Sequence, residues 1–156
     1  MTFCLLPESP YNTPSTIQLR ALRVLEATTE SGIVVMPCGS GKSAVAVKAA
    51  LAHRRVLFLC FEKQGVVQLS ALLTLHTTVG GALMNRGGKR ISDGLCEAKT
   101  RDPASPAFVV ATYSLLARES SAARAVRSFK WDLVVADECH HVLADSYLEL
   151  IRKLRT

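Results

Sequence analysis

Ile33-Val34-Val35-Met36-Pro37-Cys38-Gly39-Ser40-Gly41-Lys42-Ser43 passes from β-branched residues through a glycine-rich turn to a lysine and a hydroxyl. The pattern predicts a strand, a loop and the start of a helix. Gly39 and Gly41 supply positive φ and close backbone approach. The N–H groups from Gly39 to Ser43 can then face an anion beside a helix N-terminus. In such a loop Lys42 neutralises β- and γ-phosphates, and the Ser43 hydroxyl is a magnesium ligand. The generic pattern G-x-x-x-x-G-K-[ST] asks for Gly at position 36, where this chain has Met. The strict form therefore fails, and P-x-G-x-G-K-S remains. Pro37, Cys38, Gly39, Ser40, Gly41, Lys42 and Ser43 are the candidate nucleotide-binding residues.

A second apolar run, Leu133-Val134-Val135-Ala136, leads into Asp137-Glu138-Cys139-His140. Asp137 at a strand end can hold magnesium through water, and Glu138 can polarise an attacking water as general base. An isolated Asp-Glu dipeptide is most simply a surface pair. Its place at the end of a buried-type strand downstream of the loop favours the acidic-pair reading. Cys139, His140 and His141 are consecutive, and three consecutive side chains do not converge on one tetrahedral ion. His140 is read instead as a hydrogen-bonding sensor of the γ-phosphate. Lys42, Asp137, Glu138 and His140 are thus the candidate catalytic residues, Ser43 and Asp137 the candidate magnesium ligands, and ATP with Mg²⁺ the implied cofactors.

Outward from these stretches, strands and helices alternate. Residues 1–14 read as an irregular leader, and 15–156 as one nucleotide-binding domain. A helix is expected from Ser15 to about Glu30, with Ile17, Ala21, Leu22 and Leu25 on one face. Strands are expected at 33–36, 55–60, 108–112 and 133–136, with another inside 77–84. Helices are expected at 43–53, 64–76, 113–129 in two pieces, and 144–154. Residues 85–106 are polar and rich in Gly and Pro, which predicts a long surface loop. Continuous apolar strands between helices predict an α/β fold: an open, mostly parallel sheet with helices on both faces.

Composition bounds the function. A chain of 156 residues that is 49% hydrophobic and 21% charged can bury a core and is not a disordered segment. No apolar run approaches the roughly 20 residues of a membrane span, and the chain reads as soluble and intracellular. Its five cysteines lack CxxC spacing and read as small buried thiols rather than disulfide or zinc residues. A formal charge of +6 is compatible with nucleic acid without requiring it. The basic clusters Arg118, Arg124, Arg127, Lys130 and Arg152, Lys153, Arg155 read first as solvated helix faces.

Taken in order, Pro37-Cys38-Gly39-Ser40-Gly41-Lys42-Ser43, Ala111-Thr112-Tyr113-Ser114-Leu115-Leu116 and Asp137-Glu138-Cys139-His140 resemble the first RecA-like domain of a superfamily 2 helicase. Their wording, with Val66-Val67-Gln68-Leu69, is similar to the XPB-type DNA repair helicases. The D-E-C-H-H spelling also occurs in Dicer-like, RIG-I-like and type III restriction-like helicases. The resemblance implies that Gln18 reads the adenine edge, although Ser15-x-x-Gln18 is equally a capping box. It implies that Thr112, Tyr113 and Ser114 contact a nucleic-acid backbone, with core packing the other reading of Tyr113.

The XPB-type resemblance further implies weak, sequence-independent DNA binding, no membrane, a second RecA-like domain or a TFIIH-like complex as partner, and a nuclear location. Compared with that family, the expected T-A-T motif would lie beyond the helix at 144–154. The second motor domain, with its transition-state arginine, would follow it. Such an arginine is worth about 10³–10⁵ in rate, so activity of these 156 residues alone is expected to be low. A rival reading is a degenerate, non-catalytic module that binds ATP or a protein. Another is a P-loop NTPase with no nucleic-acid role.

Overall fold

The computed structural model describes residues 3–28, 30–84, 91, 93–96, 105–139 and 145–154. Four parallel strands form one sheet in the order β2-β3-β1-β4, with β1 at Arg55–Cys60, β2 at Leu83–Met84, β3 at Ala107–Thr112 and β4 at Leu133–Ala136. The register sets Val56 of β1 opposite Phe108 of β3 and Leu133 of β4. The helices are α1 at Thr16–Ala27, α2 at Lys42–Ala50, α3 at Lys63–His76, α4 at Tyr113–Leu116, α5 at Ser121–Ser128 and α6 at Asp145–Arg152. The α/β architecture read from the sequence is the one observed.

Successive strand residues point to opposite faces, and each face has its own core. On one face Leu57, Leu59, Val109 and Ala111 pack with Tyr113, Leu116, Val126, Phe129 and Trp131, joined by Tyr147, Leu150 and Ile151 of α6. On the other, Val56, Phe58, Phe108 and Val110 pack with Val47 and Ala50 of α2 and Leu69 and Leu73 of α3. Burying each such Leu, Val or Phe contributes roughly 1.5–3 kcal/mol. The Trp131 indole N–H donates to Val126 O at 3.0 Å, which removes the penalty of burying it. Asp132 fixes the start of β1, its Oδ2 accepting the N–H groups of Arg54 and Arg55 at 3.1 and 2.9 Å.

Several expectations are corrected. Ile33–Met36 is no strand and joins no sheet. Ile33 and Val35 are 74% and 89% exposed, while Met36 packs with Leu22 and Val45 between α1 and α2. A β-branched run becomes a strand only where another strand offers hydrogen bonds, and among the described residues none does. Helix α1 ends at Ala27, short of Glu30, and within 77–84 only Leu83–Met84 is extended into the sheet. The leader is irregular, yet it is tied down. Leu6 N–H bonds to His76 O at 2.8 Å, and Phe3 meets the Phe108 ring edge-on at 4.9 Å. Of the five cysteines only Cys60 is fully buried, while Cys4, Cys38 and Cys96 are exposed. In 85–106 the described residues 91 and 93–96 are helical, and Ile91 and Leu95 enter the core.

Candidate active site

The loop is built from both sides. Gly39 and Gly41 hold φ of 73° and 86°, the left-handed region that favours glycine. Gly41 is the N-cap of α2 and offers no side chain to its first turn. The leading N–H groups of α2 are therefore available to an anion. Ser40 closes the turn, its hydroxyl donating to Pro37 O at 2.7 Å. Ser43 is exposed and Lys42 half-buried at the start of the helix. Pro37 and Cys38 are exposed beside them.

Gln18 belongs to this loop. Its Oε1 accepts the Ser15 N–H at 2.9 Å and the Ser15 hydroxyl accepts the Gln18 N–H at 3.4 Å, so the capping box is formed. Its Nε2 donates to Ser40 O at 3.0 Å. One amide hydrogen is left for another acceptor. Gln18 thus ties the first turn of α1 to the glycine turn.

The acidic pair follows β4. Asp137 N–H bonds to Leu59 O at 2.9 Å, extending the ladder by one residue, and Asp137 Oδ1 accepts the Glu138 N–H at 3.0 Å. Glu138 has φ of 50° and is the one non-glycine residue with positive φ among those described. That conformation costs roughly 1–2 kcal/mol. It turns the chain sharply where Asp137 is half-buried and Glu138 exposed. His140, expected beside them, lies outside the described residues, as does His141.

Thr112 and Ser114 stand at the end of β3, their hydroxyls 3.0 Å apart. Tyr113 between them packs inward, as the core-packing reading expects. It is 1% exposed, its hydroxyl donates to Asp137 O at 2.8 Å, and its ring lies 5.6 Å from that of Tyr147. Sequence reading missed that it clamps the acidic turn, because 24 residues separate the partners. Burial, with Cys139, Asp137, Cys60 and Glu138 nearby, pushes the Tyr113 phenol above its ordinary range. Cys60, ending β1 at the same edge, is pushed up to about 11 by burial and then by the Asp137 carboxylate. Both groups stay neutral near pH 7.

Helix α2 leads from the loop back toward β1, and the acidic turn follows β4 at the edge where β1, β3 and β4 end. That edge is where open parallel sheets bind ligands. The donor set fits a magnesium nucleotide: backbone N–H groups and a lysine for phosphate, a hydroxyl and a carboxylate for a hard divalent ion.

The basic clusters separate. Arg127 is structural, donating to Leu116 O at 2.7 Å and pairing with Glu119 at 3.3 Å. Arg118, Arg124 and Lys130 are exposed. Lys153 pairs with Glu149 at 2.8 Å along α6 and holds that carboxyl below its ordinary range. Arg155 lies outside the described residues.

Residues 12–156 match the family described as "Type III restriction enzyme, res subunit". The chain is also similar to the general transcription and DNA repair factor IIH helicase/translocase subunit XPB of several eukaryotes. It is 30% identical to that of Danio rerio over 78% of this chain, and 25% identical to that of Enterocytozoon bieneusi over 78%. With the XPB2 subunit of Arabidopsis thaliana it shares 28% identity over 91% of the chain. The chain spans only 16%, 21% and 19% of those proteins, respectively.

Proposed function

Because the chain belongs to the helicase family of the type III restriction enzyme res subunit, we propose that it is the ATP-binding lobe of a DNA helicase or translocase of the XPB kind. The observation that carries this reading is the pair of left-handed glycines opening an uncapped helix, in a chain whose β4 runs into the Asp137–Glu138 turn.

In this proposal the N–H groups from Gly39 to Ser43 and the Lys42 ammonium bind the β- and γ-phosphates. Ser43 and Asp137 hold Mg²⁺, which supplies charge neutralisation on those phosphates. Glu138 accepts the proton of the attacking water, and His140 contacts the γ-phosphate. Gln18 sets the glycine turn and offers its remaining amide hydrogen to the base. Thr112 and Ser114 donate to a DNA backbone, which positions the strand without reading sequence. A second RecA-like lobe, within a complex like the factor IIH of the XPB relatives and in the nucleus, completes the cleft.

Titration calorimetry with Mg-ATP tests the assignment. Wild type and Glu138→Gln are expected to bind with similar weak affinity, and Lys42→Ala to bind at least about tenfold more weakly. Equal affinity for wild type and Lys42→Ala would refute it. A degenerate binding module is instead favoured if Glu138→Gln leaves hydrolysis unchanged once a second lobe is supplied.

A further inference from the structure

The peptide that joins Asp137 to Glu138 is held at both ends. Its carbonyl oxygen accepts the Tyr113 hydroxyl at 2.8 Å, and its N–H donates to Asp137 Oδ1 at 3.0 Å. Turning a planar peptide changes ψ of the residue before it and φ of the residue after it. The plane held here therefore sets φ of Glu138, which is 50°.

An L residue at that φ is strained, because its Cβ crowds the following carbonyl oxygen. Turning the peptide over relieves the strain by carrying Glu138 to negative φ. The same flip swings the Asp137 carbonyl away from the phenol and the Glu138 N–H away from Oδ1. One net hydrogen bond is comparable to the strain, so two hold the turn and one alone is marginal.

The phenol is anchored where it can do this. Tyr113 opens α4 directly after β3 and is 1% exposed. Tyr147 of α6 lies against its ring, with centroids 5.6 Å apart. At the other end of α4, Leu116 O accepts from the Arg127 guanidinium at 2.7 Å. The hydroxyl thus reaches the turn from a rigid wall, and burial keeps it protonated as a donor. Asp137 N–H is bonded to Leu59 O at 2.9 Å, so the chain is fixed up to Asp137 and the turn begins at its carbonyl.

We propose that Tyr113 is a positioning residue for Glu138. Its hydroxyl keeps the Asp137–Glu138 peptide in the orientation that holds Glu138 at positive φ, and so sets where the Glu138 carboxylate points. The proposal rests on the reading of Glu138 as the base that accepts the proton of the attacking water. A base must lie within hydrogen-bond reach of the proton it takes, so its direction decides whether it works. In this role Tyr113 acts through the backbone of the turn and leaves phosphate binding to the glycine loop.

The test is made on the nucleotide-free 156-residue chain. Its readout is the NOE between the amide proton and Hα of Glu138, which is strong at positive φ and weak at negative φ. Tyr113→Phe keeps the ring and loses the donor. It should weaken that NOE and speed exchange of the Glu138 amide about fivefold or more, the ratio that one net hydrogen bond supplies. The side-chain resonances of Phe129 and Trp131 should stay in place. Tyr147→Phe, which removes a hydroxyl from the neighbouring ring, should leave Glu138 unchanged. By calorimetry, wild type and Tyr113→Phe should bind Mg-ATP equally. A Glu138 NOE that persists in Tyr113→Phe overturns the proposal and leaves Tyr113 a core residue only. Mg-ATP binding weakened as far as in Lys42→Ala also overturns it, because Tyr113 would then act on the whole site. Absence of Mg-ATP binding in the wild type sinks the ATP reading alone, since the NOE on the free protein decides the positioning by itself.

Discussion

Gly41→Ala is the sharpest probe of the loop, because two separable penalties meet at one atom. At φ of 86° a Cβ costs roughly 1–2 kcal/mol of backbone strain. The same Cβ would overlap Gln18 Nε2, so the Gln18–Ser40 hydrogen bond must break. That adds about 0.5–1.5 kcal/mol, for a total of roughly 2–3 kcal/mol. In a domain of this size each kcal/mol lowers Tm by about 2–4 °C, so the variant should melt about 5–10 °C below wild type. Gly39→Ala has the strain, at φ of 73°, without a neighbour within 4 Å, and should lose about half as much. Gly32→Ala has neither and should not lower Tm. In a Gln18→Ala background the overlap at Gly41 disappears, so a double-mutant cycle should give a coupling near 1 kcal/mol. Thermal melts of the six proteins decide the matter. A Gly41→Ala penalty equal in both backgrounds would refute the clamp.

Tyr113→Phe removes the donor to Asp137 O and should destabilise by about 1–2 kcal/mol in urea unfolding, because a part-buried carbonyl loses its partner. Stability should also fall at alkaline pH. Cys60 has a folded value of about 11 against an ordinary 9.0, so from pH 9 to 11 the unfolded chain releases its proton first and folding weakens as pH rises. Cys60→Ala should flatten that part of a urea-midpoint profile; an unchanged slope would contradict the burial argument. With oligonucleotides, the 156-residue chain should bind weakly and lose affinity steeply between 50 and 200 mM salt, while separating no duplex. Strand separation that is lost in Lys42→Ala would overturn the single-lobe reading.

The strands β1, β3 and β4 were legible because each is a continuous apolar run, the mark of parallel strands covered on both sides. Ile33–Val35 has the same composition and is no strand, since pairing depends on a neighbour that local sequence does not contain. The loop was legible down to its left-handed glycines, and the capping box of α1 was legible too. What Gln18 does next was not, because its contact with Ser40 spans 22 residues. Likewise Asp132 reads as a surface acid, yet it caps the start of β1 across more than 70 residues. Core packing was one of two readings of Tyr113 from its sequence, but its hydrogen bond to Asp137 O, across 24 residues, was not legible there.

The central claim is that one metal–nucleotide sits between the glycine loop and the acidic turn. Mn²⁺ in place of Mg²⁺ reads this directly, because its unpaired electrons broaden nearby amide resonances. With Mn-ATP bound, the amides of Ser43, Asp137 and Glu138 should broaden together, while that of Leu73, near the C-terminal end of α3, keeps its width. Lys42→Ala should abolish all three effects at once. Broadening at Ser43 with Asp137 and Glu138 unaffected would contradict the shared site.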